Sequence, residues 1–191
     1  MEGFKFDPEM LEHLNDPGRL KDIPPQWIWD KMNVKKASTV VDLGAGTGFF
    51  SKQFAAMPGV EQVYALDISE KMIEYMRTAV NPQYPQVVPM IMDESSIPLP
   101  ADMADVVIMI NLHHEFHEPH TILAECSRIM KTGGKMAIVD WAKKETEHGP
   151  PVKKRYSAEA IVKQLEEASF QQIRSYYTLP SHFLITAEKS K

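Results

Sequence analysis

One cysteine, Cys126, occurs in 191 residues. A single thiol excludes an internal disulfide and leaves no cysteine set for a zinc site. That usage suits a reducing compartment, and the expected location is the cytoplasm. No apolar run approaches the ~20 residues that a membrane-spanning helix needs. The N-terminus carries Glu2, Asp7, Glu9 and Glu12, which is not the pattern of a signal peptide. Positive charge is in deficit, with 21 Lys and Arg against 26 Asp and Glu and a net charge of −5. This balance disfavours broad electrostatic contact with nucleic acid. Internal repeats, low-complexity tracts and an evident domain linker are absent too. What remains is ordinary for a globular chain, 43% hydrophobic and 25% charged. Its length suits one domain with a sizeable core.

The most informative stretch runs Val40-Val41-Asp42-Leu43-Gly44-Ala45-Gly46-Thr47-Gly48-Phe49-Phe50. Val40, Val41 and Leu43 read as a buried strand. The alternating glycines let the backbone turn sharply and approach a ligand closely. Phe50, Phe54 and Met57 recur at helical spacing, and Pro58-Gly59 stops that helix. Two cofactor classes use such a loop. A dinucleotide fold wants G-x-G-x-x-G. Here Phe49 stands where that pattern wants its third glycine, and Asp42 closes the strand just before the first. A carboxylate there is a poor neighbour for a pyrophosphate and a good one for an ammonium group. A nicotinamide-dependent oxidoreductase stays open as the alternative, as does a nucleoside-binding module without catalysis.

A second strand, Gln62 to Asp67, also ends in a carboxylate. Asp67 at that place can accept hydrogen bonds from both hydroxyls of a ribose, or else cap the next helix. Ser69 reads as an N-cap, and Met72, Ile73, Met76 and Val80 share one apolar face. Gln86 to Met92 reads as a third strand that Pro89 limits to an edge or a short piece. Ala104 to Asn111 is apolar for most of its length, as a central parallel strand should be. Asn111 stands at its carboxyl end, where open α/β sheets bind ligands.

His113, His114, His117 and His120 follow within eight residues. No H-E-x-x-H is present, and Pro119 opens a helix inside the cluster, so a shared metal geometry is not expected. The helix from Pro119 closes at Lys131-Thr132-Gly133-Gly134, with glycine as its left-handed cap. Lys135 to Asp140 is the next strand, and Trp141 beyond it either flanks an acceptor site or packs. The basic residues between 143 and 155 read as a solvated loop or a contact for a phosphate-bearing acceptor. Phe170 to Tyr177 and Ser181 to Ala187 are too close for a crossover, so they pair antiparallel. Strands and helices thus alternate before a final hairpin. The fold class that follows is α/β, Rossmann-like, with a mainly parallel sheet and helices on both faces.

The order D-x-G-x-G-x-G over residues 42–48 resembles motif I of the class I S-adenosylmethionine-dependent methyltransferases. The Leu112-His113-His114 stretch resembles the small-molecule subgroup that includes quinone methyltransferases. The family usually shows Lys-Pro-Gly-Gly where this chain has Lys131-Thr132-Gly133-Gly134. The resemblance covers roughly residues 37–191 and implies seven strands with the last reversed. It implies S-adenosylmethionine as cofactor and a small-molecule acceptor. Gly44, Ala45 and Gly46 would pass the methionine portion, with Asp42 near its ammonium group. Asp67 would hold the ribose, and Ile68 and Met72 would wall the adenine. Asp93 fits the family's acidic partner of the adenine amino group, and Asn111 would sit near the methyl donor. His113, then His114, are the candidate bases for an acceptor that must lose a proton. Residues 1–36 match no motif and read as a helical arm or a lid, with Trp27 or Trp29 in a substrate pocket as its functional form.

Overall fold

Each strand follows from a short run of β-branched and aliphatic residues, cut by Gly, Pro, Asp or Asn. A computed structural model describes residues 8–190, with side chains from Leu11 onward. The strands are β1 (Thr39–Leu43), β2 (Gln62–Asp67), β3 (Val87–Ile91), β4 (Ala104–Ile110), β5 (Met130–Trp141), β6 (Phe170–Tyr176) and β7 (His182–Lys189). They form one seven-stranded sheet in the order β3-β2-β1-β4-β5-β7-β6. The first five are parallel, and β7 runs antiparallel to both its neighbours. Reversal of β7 sets its first residue, His182, beside Trp141 at the carboxyl edge of the parallel strands. Pro89 lies in β3 at the sheet edge, as a residue without an amide donor must.

Period-two alternation divides the interior. Val106 and Ile108 of β4 face one layer with Val40, Val63 and Val139, while Val107 and Met109 face the other with Val41, Leu43 and Ile138. The first layer is covered by Ile28, Trp29 and Met32 of α3 (Pro25–Met32) and Phe54 of α4 (Ser51–Ala55). Ile73 of α5 (Glu70–Tyr75) adds to it, and a π turn, Met76–Val80, carries that helix on. The second layer is covered by Ile122, Leu123, Cys126 and Ile129 of α6 (Pro119–Ile129) and by Ile161 and Leu165 of α7 (Ala158–Glu167).

Two expectations change. α6 ends at Ile129, and Met130 is already extended, so the glycines do not cap it. Gly133 instead takes φ +76° within the β5 run. In the arm, α1 (Pro8–Leu14) and α2 (Arg19–Asp22) precede α3. Asp7, which the sequence Asp7-Pro8-Glu9 offers as N-cap of the first helix, and the side chain of Met10, which would belong to that helix's apolar stripe, lie outside the described residues. Trp29 is buried 6.3 Å from the Phe54 ring, and Trp27 packs edge-on against Tyr176 at 5.9 Å. Neither tryptophan lines the cavity described below, because α3 turns both toward the sheet.

Candidate functional site

Strand order reverses around β1, whose neighbours β2 and β4 carry connections to opposite faces. Open α/β sheets leave a crevice at that point, beyond the strand carboxyl ends. A cavity of about 510 Å³ occupies it here. Asp42, the loop from Gly44 to Thr47, and Asp67 with Ile68 form its floor. Met72, Asn111, Leu112 and Glu115 line it further, and Leu14 and Arg19 of the arm close it.

The glycine loop is held by its neighbours. Ala45 N–H donates to the Leu66 carbonyl at 2.9 Å. Gly46 N–H donates to Asp67 Oδ2 at 2.8 Å, and Ser69 N–H to Asp67 Oδ1 at 2.9 Å. Asp67 therefore braces the loop, while Ser69 Oγ caps α5 by accepting from Met72 N–H. An ionised carboxylate offers about four acceptor positions, so each Asp67 oxygen keeps capacity for a diol. Burial raises the Asp67 pKa, against these amide hydrogen bonds. Gly44 has φ +66°, and a Cβ on it would lie 2.5 Å from Leu112 Cδ1. Gly46 has φ +56°, yet a Cβ there would meet nothing within 4 Å. Its half-buried backbone thus borders open cavity space, which is what a closely seated ligand requires.

Asp42 is 2% exposed and accepts a 2.6 Å hydrogen bond from Ser51 Oγ. Burial pushes its pKa up to about 7; Ser51 opposes, the Asp67 charge adds to the rise, and Arg19 opposes weakly. No ion pair among the described residues neutralises it. Two further polar atoms, Thr47 Oγ1 and Asn111 Oδ1, are buried without a partner at the cavity wall. Asn111 also holds φ +56°, a conformation rare outside glycine. Ile68 offers an aliphatic side chain that is 64% exposed. Asp93 is exposed and bridged to Ser96, and it does not line the cavity; its neighbours Met92 and Glu94 do.

The two candidate bases part company. His113 and His114 share one 3-10 turn, His113–Glu115, in which successive side chains point about 120° apart. His113 is fully buried, its Nε2 2.7 Å from Gln164 Oε1, with its ring edge-on to Phe116 and Tyr156. Burial lowers its pKa. It stands under α7 and does not line the cavity. His114 points back to β5, where its Nδ1 lies 2.8 Å from Asp140 Oδ1 and its amide donates to Asp140 Oδ2 at 2.9 Å. Burial alone would lower the His114 pKa, but the hydrogen bond and charge of Asp140, with Glu115, outweigh it and hold the pKa above its ordinary value. His114 Nε2 is 3.8 Å from Glu115 Oε1, and Glu115 reaches the cavity where neither histidine does. Partial desolvation raises the Glu115 pKa, with His114 opposing and Asp140 and Asp67 adding to the rise, while 66% of the side chain stays exposed. His120 lies 3.6 Å from Glu167, away from the others. Among the described residues no three His, Cys, Asp or Glu side chains gather to hold a metal. Arg155 does not wait for a phosphate either: it donates to the carbonyls of Pro150, Ala142 and Lys144 and so fastens its own loop.

A family model described as a methyltransferase domain matches residues 41–138, about half of the chain. The chain belongs to the class I S-adenosylmethionine-dependent methyltransferases. This methyltransferase is 33% identical to a SAM-dependent methyltransferase of Aquifex aeolicus, whose crystal structure superposes with a TM-score of 0.88 over 97% of this chain and 100% of that one. It is 30% identical over 126 residues to the ubiquinone/menaquinone biosynthesis C-methyltransferase UbiE of Burkholderia mallei, covering 65% of this chain. The match spans about half the length of that relative. The CurJ carbon methyltransferase shares the fold, with a TM-score of 0.77 at 16% identity over 95% of this chain and 58% of that one.

The site fits the cofactor this family uses. That cofactor has an ammonium group, a ribose diol and an adenine, and the cavity presents a buried carboxylate, Asp42, a second carboxylate, Asp67, and an apolar wall of Ile68 and Met72. A pyrophosphate would instead meet the Asp42 charge, and the comparisons lend the dinucleotide alternative no support. Several site residues of this methyltransferase escape a linear reading. Ser51 is one turn past the glycines and carries no signal beyond its type. Asp140 had one: it is a carboxylate at the carboxyl end of β5, in the place that Asp42 and Asp67 hold on β1 and β2. Glu115 and Glu94 sit in loops, where nothing marks the side that faces inward. Among the described residues no helix is long and apolar enough to cross a membrane.

Proposed function

We propose that this methyltransferase methylates a small acceptor that loses a proton during transfer, with Glu115 as the base that faces it. The observation that carries this reading is the pairing of an unneutralised buried carboxylate, Asp42, with an open glycine turn in one cavity. When bound, S-adenosylmethionine supplies an electrophilic methyl group on a positively charged sulfur. The chain's own residues hold, align and dry the site. Asp42, Thr47 and Asn111 offer the tail its polar partners, and Asp67 offers the ribose two acceptors. Leu112 and Phe116 exclude water beside them. Alignment of this kind contributes on the order of 7–11 kcal/mol to lowering a barrier.

Glu115 Oε receives the acceptor's proton, and its raised pKa suits that task better than an ordinary carboxylate would. His114, fixed by Asp140, orients Glu115 and can take the proton onward at Nε2. His113 has no part in this arrangement, and Asp93 remains a partner for the adenine amino group only if its loop turns inward. The UbiE relatives are named as C-methyltransferases of ubiquinone/menaquinone biosynthesis, so phenols and quinols with an electron-rich ring carbon are the first acceptors to test. A small molecule is favoured over nucleic acid by the net charge of −5. A single buried thiol fits a cytoplasmic setting.

The test has two stages. Calorimetric titration should show S-adenosylmethionine binding and no binding of reduced nicotinamide dinucleotide. Incubation with a phenol and quinol panel should then release S-adenosylhomocysteine, detected by mass spectrometry. Glu115→Gln should lower kcat by roughly 10²–10⁴ with little change in donor affinity. Donor binding without turnover across the panel would favour a binding module, and no donor binding would end the proposal.

A further inference from the structure

Arg19 opens the four-residue helix α2 and sends its side chain into the cavity wall beside Asp42. Its guanidinium carbon lies 4.9 Å from the Phe50 ring centroid and 5.4 Å from that of Phe49. It donates to the Leu14 carbonyl at the end of α1, so it ties the two halves of the outer arm together. Burial lowers its pKa, while Asp16 and Asp42 act on it only through their fields. No ion pair among the described residues involves it. A guanidinium has five N–H donors, and one carbonyl and two ring faces leave most of them unanswered. A half-buried cation without a hydrogen-bonded anion carries a desolvation cost, and such a group beside a cavity marks a candidate ligand contact.

The same wall therefore holds two unmatched charges of opposite sign. Asp42 lacks a cation and Arg19 lacks an anion. A ligand group that answers both carries an ammonium and a carboxylate a few ångströms apart, which is the end of an α-amino acid. We propose that Arg19 receives the carboxylate of the donor's amino-acid tail, so that this carboxylate fastens the outer arm over the cavity. This rests on the donor reading above. It goes further by making the arm, which no family motif covers, the half of the site that distinguishes a zwitterionic tail from a merely cationic one. An acidic acceptor is the weaker occupant, because the acceptor end of the cavity carries Glu115, a like charge.

The experiment compares S-adenosylmethionine with its decarboxylated analogue, which keeps the ammonium, ribose and adenine. Dissociation constants are measured by calorimetry for the wild-type protein and for Arg19→Met, which keeps an unbranched stem over Phe49 and Phe50. The wild type should prefer the complete donor by roughly ten- to a hundredfold, the range of a charge-assisted hydrogen bond. Arg19→Met should lose that preference, weakening the complete donor by the same factor and the analogue by less than about threefold. Trypsin cleavage after the exposed Lys21 gives a second readout: the complete donor should slow it in the wild type, and the analogue should not. Equal weakening of both ligands would reduce Arg19 to a shaping role and overturn the proposal. Unchanged donor affinity would also overturn it and leave Arg19 to the acceptor. A wild type that binds neither ligand would instead defeat the donor reading on which this rests. Thermal melting of the variant near the wild-type temperature separates all of these from misfolding.

Discussion

Acid should loosen the donor, and Asp42 is the reason. Its carboxyl is buried and its pKa stands at about 7. An arriving ammonium group favours the ionised form, so binding below that pH must release the proton. The apparent affinity is reduced by the fraction of protein in the competent state. With a pKa of about 7 that fraction is about one half at pH 7 and about one hundredth at pH 5, so Kd should rise about fiftyfold between them. The bound ammonium keeps Asp42 ionised in the complex across this range. Calorimetry at pH 5, 6 and 7, in pairs of buffers with different ionisation heats, reads the released proton directly. At pH 6 it should approach 0.9 per donor bound, from the same pKa of about 7. Asp42→Asn should bind weakly with a flat profile. A Kd that stays within about threefold from pH 5 to 7 would refute the reasoning, as would an unchanged slope in Asp42→Asn.

The same proton acts on the empty protein with a definite sign. Folded Asp42 holds its proton to higher pH than an unfolded aspartate, so the folded state binds more protons between about pH 4 and pH 7. Stability therefore falls as pH rises through that window. Moving a pKa from 3.8 to about 7 corresponds to about 4 kcal/mol at most. Asp42→Asn still accepts from Ser51 and carries no buried charge. Urea melts should show it more stable than the wild type at pH 8 by a few kcal/mol, with the advantage gone at pH 4. A function retained at a cost in stability is the usual trade at ligand sites.

Three shorter predictions follow from the same geometry. Gly46→Ala meets no atom within 4 Å but must hold φ +56°, so it should cost about 1–2 kcal/mol in a thermal melt and weaken the donor at least about tenfold by filling its space. His113→Ala removes a buried ring from Phe116, Tyr156 and Gln164 and should cost about 2–4 kcal/mol, while turnover per folded molecule stays within about threefold. Asp140→Asn takes away the partner that raises the His114 pKa. That contribution is complete below the ordinary histidine pKa and fades above the folded one, so the variant should lose more stability at pH 6 than at pH 9. The acid limb of its kcat profile should also move to lower pH.

What the chain declares in its sequence is the half of the site that hangs on the sheet. Strand ends leave little freedom: once Asp42 closes β1 and Asp67 closes β2, both carboxylates must emerge at one edge, and the glycines between them have one turn to make. The other half depends on turns whose side-chain directions a sequence does not carry. His113 and His114 are the same residue type one position apart, and a single 3-10 step puts one behind α7 and the other on Asp140. Asp93 and Glu94 are a similar pair, and the second is the one that reaches the cavity. Trp27 and Trp29 invite a pocket, but the helix that carries them is the part of the arm nailed to the sheet, and Arg19, which in the sequence reads as a solvated cation or a contact for an acidic substrate, is the part that reaches in. The matched family region begins at residue 41, well after Arg19, and stops at residue 138, before Asp140, Trp141 and His182. His182 is buried against Trp141 with both ring nitrogens unpartnered, at the edge where β5 and β7 end. Burial pushes its pKa down to about 4, so it stays a neutral imidazole at working pH. Most of the residues that line the cavity thus lie in the matched region, while Leu14 and Arg19 of the arm lie outside it, as do the end of β5 and the start of β7. Relatives that agree over residues 41–138 should bind one donor and differ in what they methylate.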